Sequence, residues 1–252
     1  MPKIRVMPTL LFKEVGLVKG VGFDSWRRIG SAMQAVKVYN MREVDELIYL
    51  DITATADKHP PDFESVDELA DECFMPLTVG GGVRTVEDVR RLLQVGADKV
   101  AVNTVAVENS AVIREMAQRF GSQCVVVSVD ARHHANGTYE VYTHSGTVAT
   151  GRDPVVLAQE VASLGAGEIL LTSIERDGTM TGYDVELIRR VSEAVSVPVI
   201  ASGGAGTYAH MAEVLRIGRA SAVAASSIFH FTEQTPLEAK RYLREQGFRV
   251  RL

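Results

Sequence analysis

Two aspartates stand where apolar runs stop. Glu46–Ile52 carries Leu47-Ile48-Tyr49-Leu50 up to Asp51, and Gln123–Val129 carries a mostly β-branched run up to Asp130. An acid at the end of a buried strand either caps the next turn through its oxygens or stands at a mouth where it can exchange a proton. Both readings are open for each; the strongly apolar run before Asp130 makes it the better candidate for chemistry. Glycine runs follow two other apolar stretches: Gly80-Gly81-Gly82 after Pro76–Val79, and Gly203-Gly204 with Gly206 in Pro198–Gly206. Glycines leave backbone N–H groups uncovered, so a turn of this kind leading into a helix can hold phosphate. Taken singly, each is also an ordinary tight turn. Lys13 and Lys19 sit in Phe12–Asp24, which reads as a loop, and Lys19 alone reads as a solvated surface lysine. His133 and His134 share no helix face and have no cysteine nearby, so no metal site is expected there.

These features repeat along the chain. Pro76 answers Pro198 and Glu46 answers Glu168, both at an offset of 122 (198 − 76, 168 − 46), and Asn103-Thr104 answers Ala225-Ser226 at the same spacing. Such self-similarity marks an internal duplication. Each half holds four strand-plus-helix units, and two halves close into an α/β eight-stranded parallel (βα)8 TIM barrel. The 252 residues fit one such domain, 1–252, with no linker or low-complexity tract. The expected strands begin with Ile4–Leu11 and end with Ser221–Ala225. Glu108–Phe120 reads as one amphipathic helix, and His133–Thr150 as an insertion with a small hairpin at Asn136-Gly137. In this barrel the third and fourth strands are neighbours, so Gly81, Gly82, Asn103 and Thr104 converge. The seventh and eighth are neighbours too, and bring Gly203, Gly204, Ala225 and Ser226 together. A ligand with phosphate at both ends would span the two cradles.

Composition narrows the classes. Hydrophobic residues make up 46% and charged residues 23%, a globular balance. No apolar run reaches membrane-spanning length, and the N-terminus has no apolar signal region. Cys73 and Cys124 read as buried reduced thiols, which suits the cytoplasm. A net charge of −5 without a basic block argues against nucleic acid. No cofactor is expected.

Four segments carry a family resemblance: Pro76–Gly82, Gly121–Val127, Leu171–Thr179 and Ala225–Phe231. Over nearly its whole length the chain resembles the cyclase subunit of imidazole glycerol phosphate synthase. It is less similar to the sister isomerase of histidine synthesis at Ser227–Phe231 and Gly121–Val127. The resemblance implies a glutaminase partner in a heterodimer, whose ammonia enters through the barrel base, and a substrate with two phosphates at the mouth. It matches Asp130 to the family's second catalytic aspartate and Lys19 to the lysine that holds the mouth loop closed. Asp51, Asp177 and Gly178 join the two cradles as implied substrate contacts. Arg5, Glu46, Lys99 and Glu168 match the charged ring where ammonia enters, and Asp98 and Gln123 fall at the glutaminase-facing end. Paired charges of alternating sign can occupy a barrel end where single ones could not; a purely structural ring is the other reading.

One departure stands out. The family's first catalytic aspartate aligns with Leu11, and an alkyl group cannot move a proton. With Gly16–Lys19 and Ala35–Ile48, this resembles a paralogous group associated with a glutaminase and with amidation of a nucleotide-linked sugar in surface-polysaccharide synthesis. The histidine-pathway cyclase and a non-catalytic, glutaminase-activating scaffold are the alternatives.

Overall fold

The computed structural model describes residues 3–14 and 16–252. Met1, Pro2 and Val15, which fall in the expected N-terminal segment and mouth loop, lie outside them. Eight parallel strands close a barrel: β1 (Arg5–Lys13), β4 (Leu47–Asp51), β5 (Leu77–Gly80), β6 (Lys99–Val102), β7 (Val125–His133), β10 (Glu168–Ser173), β11 (Val199–Ser202) and β12 (Ala222–Ala225). β12 returns to β1 with Arg5 beside Ala222, which closes the ring. Four further strands build hairpins on the mouth. β2 (Gly16–Val21) and β3 (Asp24–Gly30) extend β1, while β8 (Tyr139–Thr143) and β9 (Val148–Ala149) extend β7. The chain is thus the duplicated (βα)8 barrel expected from its repeats.

The outer layer consists of α1 (Ala32–Met41), α2 (Phe63–Asp71), α3 (Val86–Gln94), α5 (Ala111–Phe120), α6 (Pro154–Leu164), α7 (Val185–Ala194), α8 (Tyr208–Arg216) and α10 (Pro236–Glu245). Short helices α4 (Thr104–Glu108) and α9 (Ser227–Phe231) open at the mouth. The starts follow from local chemistry. Thr85 with Asp88, and Thr235 with Glu238, form reciprocal capping boxes. Asp62, Asp153, Asp184 and Thr207 accept backbone N–H bonds at four other N-termini. Among the described residues no helix is long and apolar enough to cross a membrane.

Because alternate side chains of a strand face opposite ways, every second residue enters the barrel. At the base the interior holds Arg5, Glu46, Lys99 and Glu168. Above them lies an alkyl layer of Met7, Ile48, Ala101, Val126, Leu170, Ile200, Ala222 and Ala224, all buried. The next positions up, Thr9, Ser128, Asp130, Thr172, Ser202 and Ser226, line the mouth. From base to mouth the interior therefore passes from charge, through alkyl, to hydroxyl and carboxyl.

The structure corrects several expectations. Phe12–Asp24 is not a loop: β1 runs on to Lys13 and turns back as β2, pairing Leu11 with Val18. Leu11 and its partner Val18 lie on one face of that hairpin and Leu17 on the other, and all three are buried. Asn109-Ser110 splits the expected Glu108–Phe120 helix into α4 and α5. The two cysteines are free but only partly buried. The repeat also shifts register. β5 and β11 start 122 residues apart (199 − 77), but β6 and β12 start 123 apart (222 − 99), so one extra residue lies between Gly218 and Ala222. Asn103-Thr104 therefore answers Ser226-Ser227, both pairs opening a short helix from similar backbone angles.

The last helix is tied to the first strand through a buried charge. Lys240, 1% exposed, donates from Nζ to the Glu43 carbonyl at 2.8 Å and pairs with Asp45 Oδ1 at 3.3 Å. Asp45 Oδ2 in turn accepts from the Val6 N–H at 3.0 Å. Removing one partner strands the other charge in the interior. Lys240→Ala is expected to lower stability by ~3–5 kcal/mol, read from the urea midpoint at constant m-value.

Candidate active site at the barrel mouth

The βα loops and the two hairpins enclose a cavity of about 140 Å³ above the alkyl layer. Leu11 and Asp130 occupy corresponding places in it. Leu11 is where β1 begins to pair with its hairpin, and Asp130, opposite Tyr142, is where β7 begins to pair with its own. One position carries an alkyl group and the other a carboxyl. Asp130 is 9% exposed, and Ser128 Oγ and Asn103 Nδ2 each lie 3.4 Å from a carboxyl oxygen. Burial pushes its pKa up to about 7; the Ser128 hydroxyl opposes this, the Asp177 charge adds to it and Thr172 opposes it. An acid near neutrality can both give and accept a proton at physiological pH.

Asp51 plays the capping part. Its Oδ1 accepts from Thr53 N (2.9 Å), Thr53 Oγ1 (2.8 Å) and Ala54 N (3.2 Å), while His59 Nε2 lies 4.0 Å from Oδ2. It still lines the cavity.

The glycine turns converge as the repeat predicted: Gly81, Gly82, Asn103 and Thr104 on one side, Gly203, Gly204, Ala225 and Ser226 on the other, all lining the cavity. The glycines are demanded by packing alone. A Cβ on Gly81 would lie 2.2 Å from the Asp51 carbonyl oxygen, and one on Gly204 2.1 Å from that of Gly182, both at positive φ. The polar groups beside them distinguish the halves. Asn103 Nδ2 donates to the Ser128 carbonyl at 3.1 Å, and Thr104 Oγ1 accepts from His144 N at 3.2 Å, so the side chains of this cradle already have protein partners. Ser226 and Ser227 are buried, and their hydroxyls have no partner. Buried polar groups are normally satisfied, so these two hydroxyls point to a ligand.

Lys19 corrects its solvated reading. It is 2% exposed and reaches both Asp177 oxygens, at 2.7 and 2.6 Å. Gly22 N also donates to the Asp177 carbonyl at 2.9 Å. The β2–β3 hairpin is thereby latched onto the loop after β10, across Gly178, whose Cβ would meet the Gly20 carbonyl at 2.1 Å. Asp177 thus has the hairpin as its partner.

At the base, Arg5 reaches Glu46 at 2.7 Å and Glu168 at 2.8 Å, and Lys99 reaches the same pair at 2.8 and 3.1 Å. The four charges form a closed ring, and Thr78 Oγ1 adds a bond to Glu46 at 2.9 Å. Asp98 and Gln123 lie in neighbouring turns at this end. Asp98 accepts from Leu77 N at 2.8 Å, and Gln123 donates to the Phe120 carbonyl at 3.3 Å. Among the described residues no group of three His, Cys, Asp or Glu side chains is placed to hold a metal.

Sequence reasoning missed Thr9, Phe23, Trp26 and Ser227, all of which line the cavity. Strand alternation from Arg5 through Met7 would have found Thr9, and the shifted repeat would have paired Ser227 with Thr104. Phe23 and Trp26 depend on the hairpin, for which the residue types gave little warning.

A parallel (βα)8 barrel with its candidate site at the C-terminal strand ends defines a class of enzyme scaffolds. Within that class, the sequence profile of the family described as "Histidine biosynthesis protein" matches residues 5–235, and the chain belongs to that family. Its members are barrel enzymes of the isomerase and cyclase type.

Asp130 gives a pH signature. The folded protein holds its proton up to about pH 7, whereas an unfolded aspartate releases it near 3.8. The folded state binds the extra proton between those values, so this group's contribution to stability falls as pH rises through the window and levels off above it. Asp130→Asn removes that loss. Its stability relative to the parent is expected to rise across the same window, as read by urea unfolding at stepped pH.

Proposed function

We propose that this barrel is a synthase subunit that takes ammonia from a glutaminase partner at its base and delivers it to a phosphorylated substrate at its mouth, in the amidation of a nucleotide-linked sugar. The observation that carries the reading is the interior gradient. A closed ring of four charges stands at one end, a proton-exchanging acid among hydroxyls at the other, and an alkyl layer separates the two levels. An alkyl layer favours passage of neutral ammonia over ammonium, because an unpaired charge there is costly. Three of its members are alanines, which leave the least side-chain bulk to move. The base also offers a docking surface. Phe74 is 84% and Met41 78% exposed, and Asn40 bonds to both Phe74 N and the Glu72 carbonyl, holding that turn in place. Exposed apolar side chains clustered in this way mark interaction sites.

Asp130 and the two glycine cradles also favour a second reading, the histidine-pathway cyclase. Leu11 counts against it, because ring closure requires protons both to leave and to arrive. The non-catalytic scaffold has no observation of its own in its favour.

Four tests separate these readings. Sedimentation with the glutaminase encoded beside this gene is expected to show a heterodimer, and no association would remove the ammonia reading. Within that complex, Lys99→Ala should leave glutamine hydrolysis running while ammonia transfer falls. Crystals soaked in phosphate should show anions at the mouth, first at Ser226 and Ser227 and then at Gly82, Asn103 and Thr104; an empty mouth would argue against a phosphorylated substrate. With ammonium salt and the histidine-pathway bisphosphate, the parent should turn over at background and Leu11→Asp should gain rate, by up to ~10²–10⁴-fold if one acid is all that is missing. Parental turnover at a full cyclase rate would establish the second reading.

A further inference from the structure

We propose that Trp26 is the ring-binding residue of the mouth cavity, and that the phosphorylated ligand it selects is a pyranose sugar phosphate. This rests on the reading of the mouth as an anion-binding site. Trp26 is the single tryptophan of the chain, stands on β3 and lines the cavity. Its seat is built for it. Gly20 lies across the β2–β3 irregularity, and a Cβ there would come 2.9 Å from Trp26 Cε3 and 2.1 Å from the Asp24 carbonyl oxygen. Only glycine at position 20 lets the indole approach the β2 backbone this closely.

The hairpin around Trp26 is fixed on several sides. Lys19 is held by the Asp177 carboxylate and Gly22 by the Asp177 carbonyl. Phe23 sits over Gly146, and the Arg27 guanidinium lies 3.8 Å from the Phe231 ring centre. The indole is therefore placed before a ligand arrives, and little ordering entropy opposes binding.

The rest of the cavity describes what would meet it. Leu11 and Leu50 contribute alkyl wall. Thr9 Oγ1 is buried, lines the same space and has no partner. The Ser226 and Ser227 hydroxyls, neither with a hydrogen-bond partner, form the anion cradle. A pyranose phosphate answers each of these: C–H faces for the indole and alkyl wall, an edge hydroxyl for Thr9, and phosphate for the serines.

The test uses the full chain with glucose 1-phosphate, glycerol 3-phosphate, aminoimidazole carboxamide ribotide and inorganic phosphate, followed by calorimetry and by emission of the single tryptophan. Glucose 1-phosphate is expected to bind about tenfold more tightly than inorganic phosphate, the scale of an aromatic contact plus its buried area. It alone should shift the emission. Trp26→Ala should lose that preference and keep phosphate affinity, and Trp26→Phe should recover part of it. Equal affinity for glucose 1-phosphate and phosphate overturns the proposal, as does a preference that survives Trp26→Ala. A preference for the ribotide overturns the sugar assignment. Loss of phosphate affinity in both Trp26 variants marks a structural role and also overturns it. If the parent fails to bind even inorganic phosphate, the anion reading fails and the proposal falls with it.

Discussion

A closed barrel has no spare solvent inside it, so every inward side chain must find its partner among the other inward side chains. At the base that constraint takes its strictest form. Arg5 and Lys99 each bridge the same two glutamates, and neither cation could stay buried with the ring opened. The alkyl layer above is possible because the charges are confined to one level. The mouth can be polar because its groups face a cavity and not a packed interior. Asp130 marks the boundary, far enough in to lose its hydration yet bordered by hydroxyls that oppose the loss.

The hairpins convert this open end into an enclosed site. Both are continuations of barrel strands, so β1 and β7 each deliver one inward residue at the level where pairing passes from barrel to hairpin. The Lys19–Asp177 pair then joins the first hairpin to the second half of the duplication. Besides the β6–β7 and β12–β1 seams, the two halves are thus joined through the base ring and over the mouth.

Much of this was legible in the residues, and the illegible parts share a cause. Glycine turns after apolar runs, repeated at a fixed offset, define strand ends, because few other residues tolerate those backbone angles and close approaches. The charged ring came from the family resemblance, which matched Arg5, Glu46, Lys99 and Glu168; the repeat offset by itself related only Glu46 to Glu168. Local pattern alone misjudged Lys19 as solvated, because burial of a lysine depends on a partner 158 residues away. The β2–β3 hairpin was missed because its outer strand is largely exposed and polar, so it lacks the alternation that marks a half-buried strand. The one-residue slip in the repeat hid Ser227, since a strict offset of 122 pointed to its neighbour.

The Lys240–Asp45 pair has a consequence for synthesis. Asp45 emerges from the ribosome 195 residues ahead of Lys240, and until α10 follows, that carboxylate lacks its cation. The first half of the chain therefore lacks one of its buried ion partners until α10 has been made. Release of the C-terminal helix completes the seam between β1 and β4, and a chain cut short before it would present an unfinished barrel to the cell's quality control.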